Sequence, residues 1–181
     1  MAEESVYFRD GELVTRSDEV RVFKLNNKLF LENGKDNLIC SDNKREDYVW
    51  QIDKKPFGNC LVLGLGLGIA PRYIYSLDKV DNVLVVEEDM DIIKVHNEIN
   101  ERFKYKIIED DYLNFLYKSA DSYDFIFLDC YDRINNTTIP FIADIAAASK
   151  KVLKPNGVLI GWLDKNTPEV TINSFYSLFN I

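Results

Sequence analysis

Four short segments carry the residues able to do chemistry: Gly64-Leu65-Gly66-Leu67-Gly68, Glu87, Asp110-Asp111, and Asp129-Cys130-Tyr131-Asp132. Each follows an apolar run. In an open parallel sheet, groups just beyond the carboxyl ends of the strands surround the ligand. The glycines allow a tight turn and close backbone approach at the mouth of a helix whose N–H groups face outward. Taken alone, a tight strand-to-helix turn explains them almost as well. Glu87 stands 19 residues after Gly68 and can accept hydrogen bonds from both hydroxyls of a ribose; the plain alternative is a solvated carboxylate at a strand end. Loop and acid together point to a nucleoside-type ligand. Asp89 suits a helix cap better than a ligand contact.

At Asp110-Asp111 a carboxylate can accept from an adenine amino group while nearby backbone reads the ring. Either acid serves equally as the N-cap of the helix that begins at Tyr112. Asp129 and Asp132 lie three residues apart beyond an apolar run. There Asp129 can deprotonate a nucleophile, Asp132 can hold a cationic group, and Tyr131 can add a cation–π contact. An acidic turn that stabilises its own loop is the competing explanation. The loop reads G-x-G-x-G, not the G-x-G-x-x-G of nicotinamide enzymes, so NAD is a minor alternative.

The remaining composition narrows the classes. His96 is the single histidine, which argues against a His-rich metal site and a Ser-His-Asp triad; it is expected on a helix flank beside Ile92, Val95 and Ile99. No metal is expected. Cys40, Cys60 and Cys130 form no C-x-x-C pair and are expected to be small buried hydrophobes. Trp50 and Trp162 are expected to be packing residues. The net charge of −8, from 22 basic and 30 acidic side chains, opposes a nucleic-acid partner and suits a small, cationic substrate. No apolar run approaches 18 residues, so no membrane span is expected. The acidic N-terminus lacks the pattern of a secretory signal, and a cytoplasmic location is expected.

The elements that must position these groups fall into two parts. Residues 1–53 are expected to form a small β-hairpin subdomain and a linking helix. Val20–Leu25 and Lys28–Leu31 pair around Asn26-Asn27, and Asn37–Cys40 follows the turn at Asn33-Gly34. Ser41-Asp42 are expected to cap a helix reaching Ile52. From residue 54 to 181, strands alternate with helices: strands at 61–63, 83–86, 105–108, 125–128 and 158–163, helices at 70–77, 89–100, 112–118 and 139–153. Unbroken apolar runs such as Leu61-Val62-Leu63 suit strands buried on both faces. The fold class is therefore α/β, a doubly wound, Rossmann-like parallel sheet with right-handed crossovers. A last helix opens at Thr167-Pro168-Glu169.

The runs LVLGLGLGIAPRYI, VLVVEED, IIEDDYLNFL, YDFIFLDCYD and KKVLKPNGVLIGWL resemble, in order, the motifs of class I S-adenosylmethionine-dependent methyltransferase folds. The resemblance is closest to the spermidine synthase branch and covers most of residues 20–165. It implies that Gly64, Gly66 and Gly68 line the cofactor tail and that Glu87 holds the ribose. Asp111 matches the adenine-side acid, with Asp110 where the family has Gly. Asp129 and Asp132 match the two acids of the catalytic loop, which deprotonate and hold the amine substrate. The expected cofactor is S-adenosylmethionine or its decarboxylated form, and the expected cofactor-binding set is Gly64, Gly66, Gly68, Glu87, Asp110, Asp111 and Tyr112.

Several positions depart from the pattern. Leu67 stands where the synthases carry an Asp that grips the amine of the aminopropyl group, and Arg133 replaces the usual Pro. The Gln that follows the D-G motif of the family's hairpin has no clear counterpart here. Only 18 residues follow Leu163, so the sheet is expected to be shortened at the C-terminus. Its fifth strand would be an apolar edge covered by the tail or by self-association as a homo-oligomer. Because burying an unpartnered ammonium is costly, methyl transfer to a small acceptor is the leading expectation. Aminopropyl transfer comes next, and a catalytically inert nucleoside-binding or interaction protein third.

Overall fold

The computed structural model describes residues 11–34, 37–42, 45–53, 55–100, 104–131, 133–164 and 167–179. Residues 1–10 of the expected hairpin subdomain lie outside them. The first sheet is antiparallel in the order β1 (Glu12–Ser17), β2 (Val20–Leu25), β3 (Lys28–Asn33) and β4 (Asn37–Ser41). Asn26 and Asn27 close the β2–β3 hairpin at φ 50° and 64°, the left-handed pair that a two-residue turn requires. Leu25 then pairs with Lys28.

Helix α1 (Arg45–Ile52) leads into the second sheet. Ser41 and Asp42, expected to cap it, are engaged with the hairpin. Ser41 pairs with Phe30 in β4, and the Asp42 carboxylate accepts from the Leu29 N–H at 3.0 Å. A hydrogen bond back to the hairpin therefore competes with the cap for the same carboxylate.

The second sheet contains β5 (Gly58–Leu63), β6 (Val80–Glu87), β7 (Lys106–Glu109), β8 (Tyr123–Leu128) and β9 (Leu153–Gly161), all parallel in the order β7-β6-β5-β8-β9. Strand order reverses between β5 and β8, which creates the crevice where such sheets bind ligands. The helices are α2 (Ile69–Tyr75), α3 (Met90–Ile99), α4 (Tyr112–Lys118), α5 (Ile139–Val152) and α6 (Glu169–Leu178). Val62, Val85, Phe125 and Phe127 meet α2, α3 and the hairpin residues Val22 and Leu31 on one face. Leu61, Leu63, Ile126 and Leu128 meet α4, α5 and α6 on the other. No helix of the described residues is long and apolar enough to cross a membrane.

Strand β9 starts earlier than the apolar run suggests. Leu153 follows α5 directly and pairs with Tyr123, while Asn156 takes φ 64° where the register shifts between Tyr123 and Phe125. At the other end, the tail returns over the edge strand. A Cβ on Gly161 would lie 2.8 Å from the rings of both Phe175 and Phe179 and 2.6 Å from the Tyr131 hydroxyl. Only glycine lets α6 seat there. Gln51 completes the cover: its side-chain oxygen accepts from the Leu163 N–H at 2.9 Å, and its nitrogen donates to the Gly161 carbonyl at 3.4 Å. One buried amide thus mimics a neighbouring strand. Gln51→Leu leaves both backbone groups unpaired, and we expect it to lower stability by about 1–3 kcal/mol. The readout is a lower urea midpoint with an unchanged slope.

Candidate functional site

A cleft of about 690 Å³ opens beyond the carboxyl ends of β5, β6 and β8, within the range of small-molecule sites. The glycine loop forms its floor. Gly64 has φ +103°, and a Cβ there would lie 2.2 Å from the Asp129 carbonyl oxygen. Gly68 has φ +74°, and a Cβ there would meet His96 at 2.3 Å and the Tyr105 hydroxyl at 2.8 Å. The loop is therefore pressed between the Asp129 backbone and a buried pair beneath it. His96 and Tyr105 are hydrogen-bonded at 2.9 Å, and burial lowers the pKa of His96 to about 4. His96 is thus a neutral support for the loop, more deeply placed than the helix flank expected for it.

Glu87 ties the loop to the sheet. Its Oε2 accepts from the Leu65 N–H at 2.9 Å, and its Oε1 accepts from the Asp89 N–H at 3.0 Å and the Tyr112 hydroxyl at 3.1 Å. Burial raises its pKa; the hydrogen bonds from Asp89, Leu65 and Tyr112 oppose the rise. Another loop donor is also spent: the Leu67 N–H donates to Cys40 Sγ at 3.2 Å. Burial pushes the Cys40 thiol up to about 12, so it stays protonated. The Leu67 side chain is buried in the core.

Asp129 lies at the end of β8, its N–H bonded to the Leu63 carbonyl at 2.7 Å. The Tyr48 hydroxyl donates to its Oδ1 at 3.2 Å. Burial raises the Asp129 pKa well above the ordinary carboxylate range, and the Tyr48 hydrogen bond works against that rise. Tyr131 turns its hydroxyl to the Trp162 carbonyl at 2.8 Å and its ring to Phe175. Among the described residues, Glu87, Glu88, Asp89, Asp129 and Asp164 line the cleft against a single basic lining residue, Arg133, an electrostatic surface suited to a cation.

The positions expected from sequence are brought together unevenly. Gly66, Glu87, Tyr112 and Asp129 line the cleft, whereas Gly64, Gly68, Asp110 and Asp111 do not. Gly64 and Gly68 shape the loop from behind. Asp111 is the N-cap of α4, accepting from the Asn114 N–H at 2.8 Å, and Asp110 accepts from the Asn114 side chain at 2.6 Å. Asp132 lies outside the described residues. Tyr48, Cys40 and Cys130 line the cleft without having been expected there. Trp162 lines it too, while packing on Tyr48; Trp50 is 55% exposed and packs little. No local spacing could have found Tyr48, whose partner is 81 positions away.

The sequence model of the spermine/spermidine synthase domain matches residues 51–174, more than half of the chain. The chain belongs to the spermine/spermidine synthase domain family. The family stretch contains the glycine loop, Glu87, Tyr112 and Asp129, while Tyr48 and the hairpin sheet precede it. Two proteins named polyamine aminopropyltransferase are similar. The one from Prochlorococcus marinus (strain AS9601) is 29% identical over 143 residues, covering 72% of this chain and 49% of the relative. The one from Buchnera aphidicola subsp. Schizaphis graminum is 31% identical over 111 residues, covering 57% and 39%. The chain thus spans half or less of the length of these relatives. The crystal structure of spermidine synthase from Thermotoga maritima superposes with a TM-score of 0.70 at 13% identity, covering 93% of this chain and 63% of that one. The fold is therefore the Rossmann-like fold of the spermidine synthase family, as the motifs implied.

Proposed function

We propose that the chain is an aminopropyltransferase of the spermidine synthase type, taking decarboxylated S-adenosylmethionine and a polyamine as substrates. The observation that carries this reading is the match over residues 51–174, which contains the glycine loop, Glu87 and Asp129. It reverses the order expected from sequence, where Leu67 favoured methyl transfer. In the reaction, the lone pair of an acceptor amine attacks the propyl carbon bound to the sulfonium. The C–S bond breaks, and the sulfur keeps the electron pair as the neutral thioether of 5′-methylthioadenosine. Asp129 takes the proton that the amine nitrogen sheds.

The electrostatics favour the decarboxylated co-substrate. A carboxylate on its tail would face Glu88, Asp129 and Asp164. The Leu65 and Leu67 N–H groups, which would otherwise be free to receive it, are spent on Glu87 and Cys40. With Leu67 apolar, the ammonium of the aminopropyl group falls to the other acids of the cleft, of which Glu88 is exposed. The test is to incubate the chain with putrescine and either decarboxylated or intact S-adenosylmethionine and to analyse products by mass spectrometry. Aminopropylated amine with 5′-methylthioadenosine is the expected outcome. A methylated amine formed only from the intact cofactor would replace this reading with methyl transfer.

A further inference from the structure

The N–H groups of the glycine loop have unequal partners. The Gly64 N–H donates to the Val86 carbonyl and the Gly68 N–H to the Leu65 carbonyl, while the Leu65 N–H donates to the Glu87 carboxylate. The Leu67 N–H ends instead on Cys40 Sγ, a weak and neutral acceptor. That thiol is delivered from the other sheet. Where β3 pairs with β4, Leu31 faces Cys40 but Glu32 faces Leu38, so Ile39 is an extra residue and the ladder bulges there. A bulge re-aims the side chains beside it. Ile39 and Cys40, which a regular strand would point to opposite faces, both line the cleft. Gly66 makes room for the sulfur, since a Cβ there would lie 2.9 Å from Cys40 Sγ. Asp129 is close enough for its charge to act on the thiol, which places the sulfur at the reacting end of the cleft.

We propose that Cys40 is a specificity-determining residue, whose sulfur occupies the place on the Leu67 N–H that the carboxylate of intact S-adenosylmethionine would take. The proposal rests on reading the cleft as an aminopropyltransferase site. The decarboxylated co-substrate carries hydrogen where the intact one carries the carboxylate, and asks nothing of that N–H. The intact cofactor meets sulfur there. Its carboxylate is left among the acids of the cleft without the Leu67 donor to offset their repulsion. The hairpin sheet thereby takes part in the choice of co-substrate.

The test is a calorimetric titration of the full chain with decarboxylated and with intact S-adenosylmethionine, comparing wild type, Cys40→Ala and Cys40→Ser. Both substitutions open space at a half-buried position, but only Ser keeps an acceptor on the same Cβ. Cys40→Ala releases the Leu67 N–H. Its preference for the decarboxylated form is expected to shrink roughly 10-fold, the effect of one hydrogen bond to a charged group, through tighter binding of the intact cofactor. Cys40→Ser is expected to keep the wild-type preference. An unchanged preference in Cys40→Ala would overturn the proposal and leave the proposed reaction standing. So would an equal shrinkage in both variants, which would trace the selectivity to space and not to the N–H. A wild type with no preference for the decarboxylated form would overturn the reading of the cleft, and this proposal with it.

Discussion

Asp129→Asn is expected to slow transfer by about 10²–10⁴-fold, the loss typical of removing a positioned general base, while leaving the fold intact. Asn keeps the shape of the side chain and can still bond the Tyr48 hydroxyl, which now lies 3.2 Å from Oδ1. Asp129 works as a base only when ionised, and burial raises its pKa. The rate of the wild type should therefore climb with pH through that raised value and then level. The variant should lack this limb.

Stability should move the other way. The folded carboxyl holds its proton more tightly than the unfolded one, whose pKa is about 3.9. Folding is then favoured most below the unfolded value, and stability declines as pH rises through the raised folded value. At neutral pH the wild type carries a carboxylate that burial disfavours, and Asn does not. A slower but more heat-stable variant is the expected pattern for a residue held for chemistry at a cost in stability. Thermal melts at neutral pH beside product assays would read both effects. Unchanged activity would remove Asp129 from the reaction.

Gly64→Ala is expected to be the most damaging single methyl added to this chain. Its φ of +103° is one that L residues rarely adopt, and the new Cβ would lie 2.2 Å from the Asp129 carbonyl oxygen and 3.0 Å from the Cys130 nitrogen. Both neighbours are backbone, so neither can rotate away. A loss of about 3 kcal/mol or more follows, a fall in melting temperature of about 6–12 °C for a chain of this size. The same clash pushes Asp129 from β5, so transfer should fail even in whatever fraction stays folded. A wild-type melt for this variant would show that the loop is not pinned against Asp129.

Much of this was legible in the sequence because it depends on local pattern. Leu61-Val62-Leu63 and Phe125-Ile126-Phe127-Leu128 announce strands covered on both faces, and the glycines and acids after them mark the ligand end of the sheet. Asn26-Asn27 dictates its own hairpin. What stayed hidden depends on contacts across the fold. Asp42 looks like a helix cap until β3 offers it a backbone N–H. Gln51 seals a strand more than a hundred positions away, and Tyr48 reaches Asp129 only once α1 has packed over the sheet. The acids at 110 and 111 illustrate the converse: local pattern allowed a ligand role and a capping role, and the observed geometry shows capping for Asp111 and an Asn114 contact for Asp110.

On the proposed function, the cleft takes a sulfonium nucleoside whose tail carries no carboxylate. Calorimetric titration of the chain with decarboxylated and with intact S-adenosylmethionine tests it most directly. Tighter binding of the decarboxylated form is expected, because the acids of the cleft repel a carboxylate and the Leu65 and Leu67 N–H groups are already engaged. Tighter binding of the intact cofactor, or no binding of either, would contradict it.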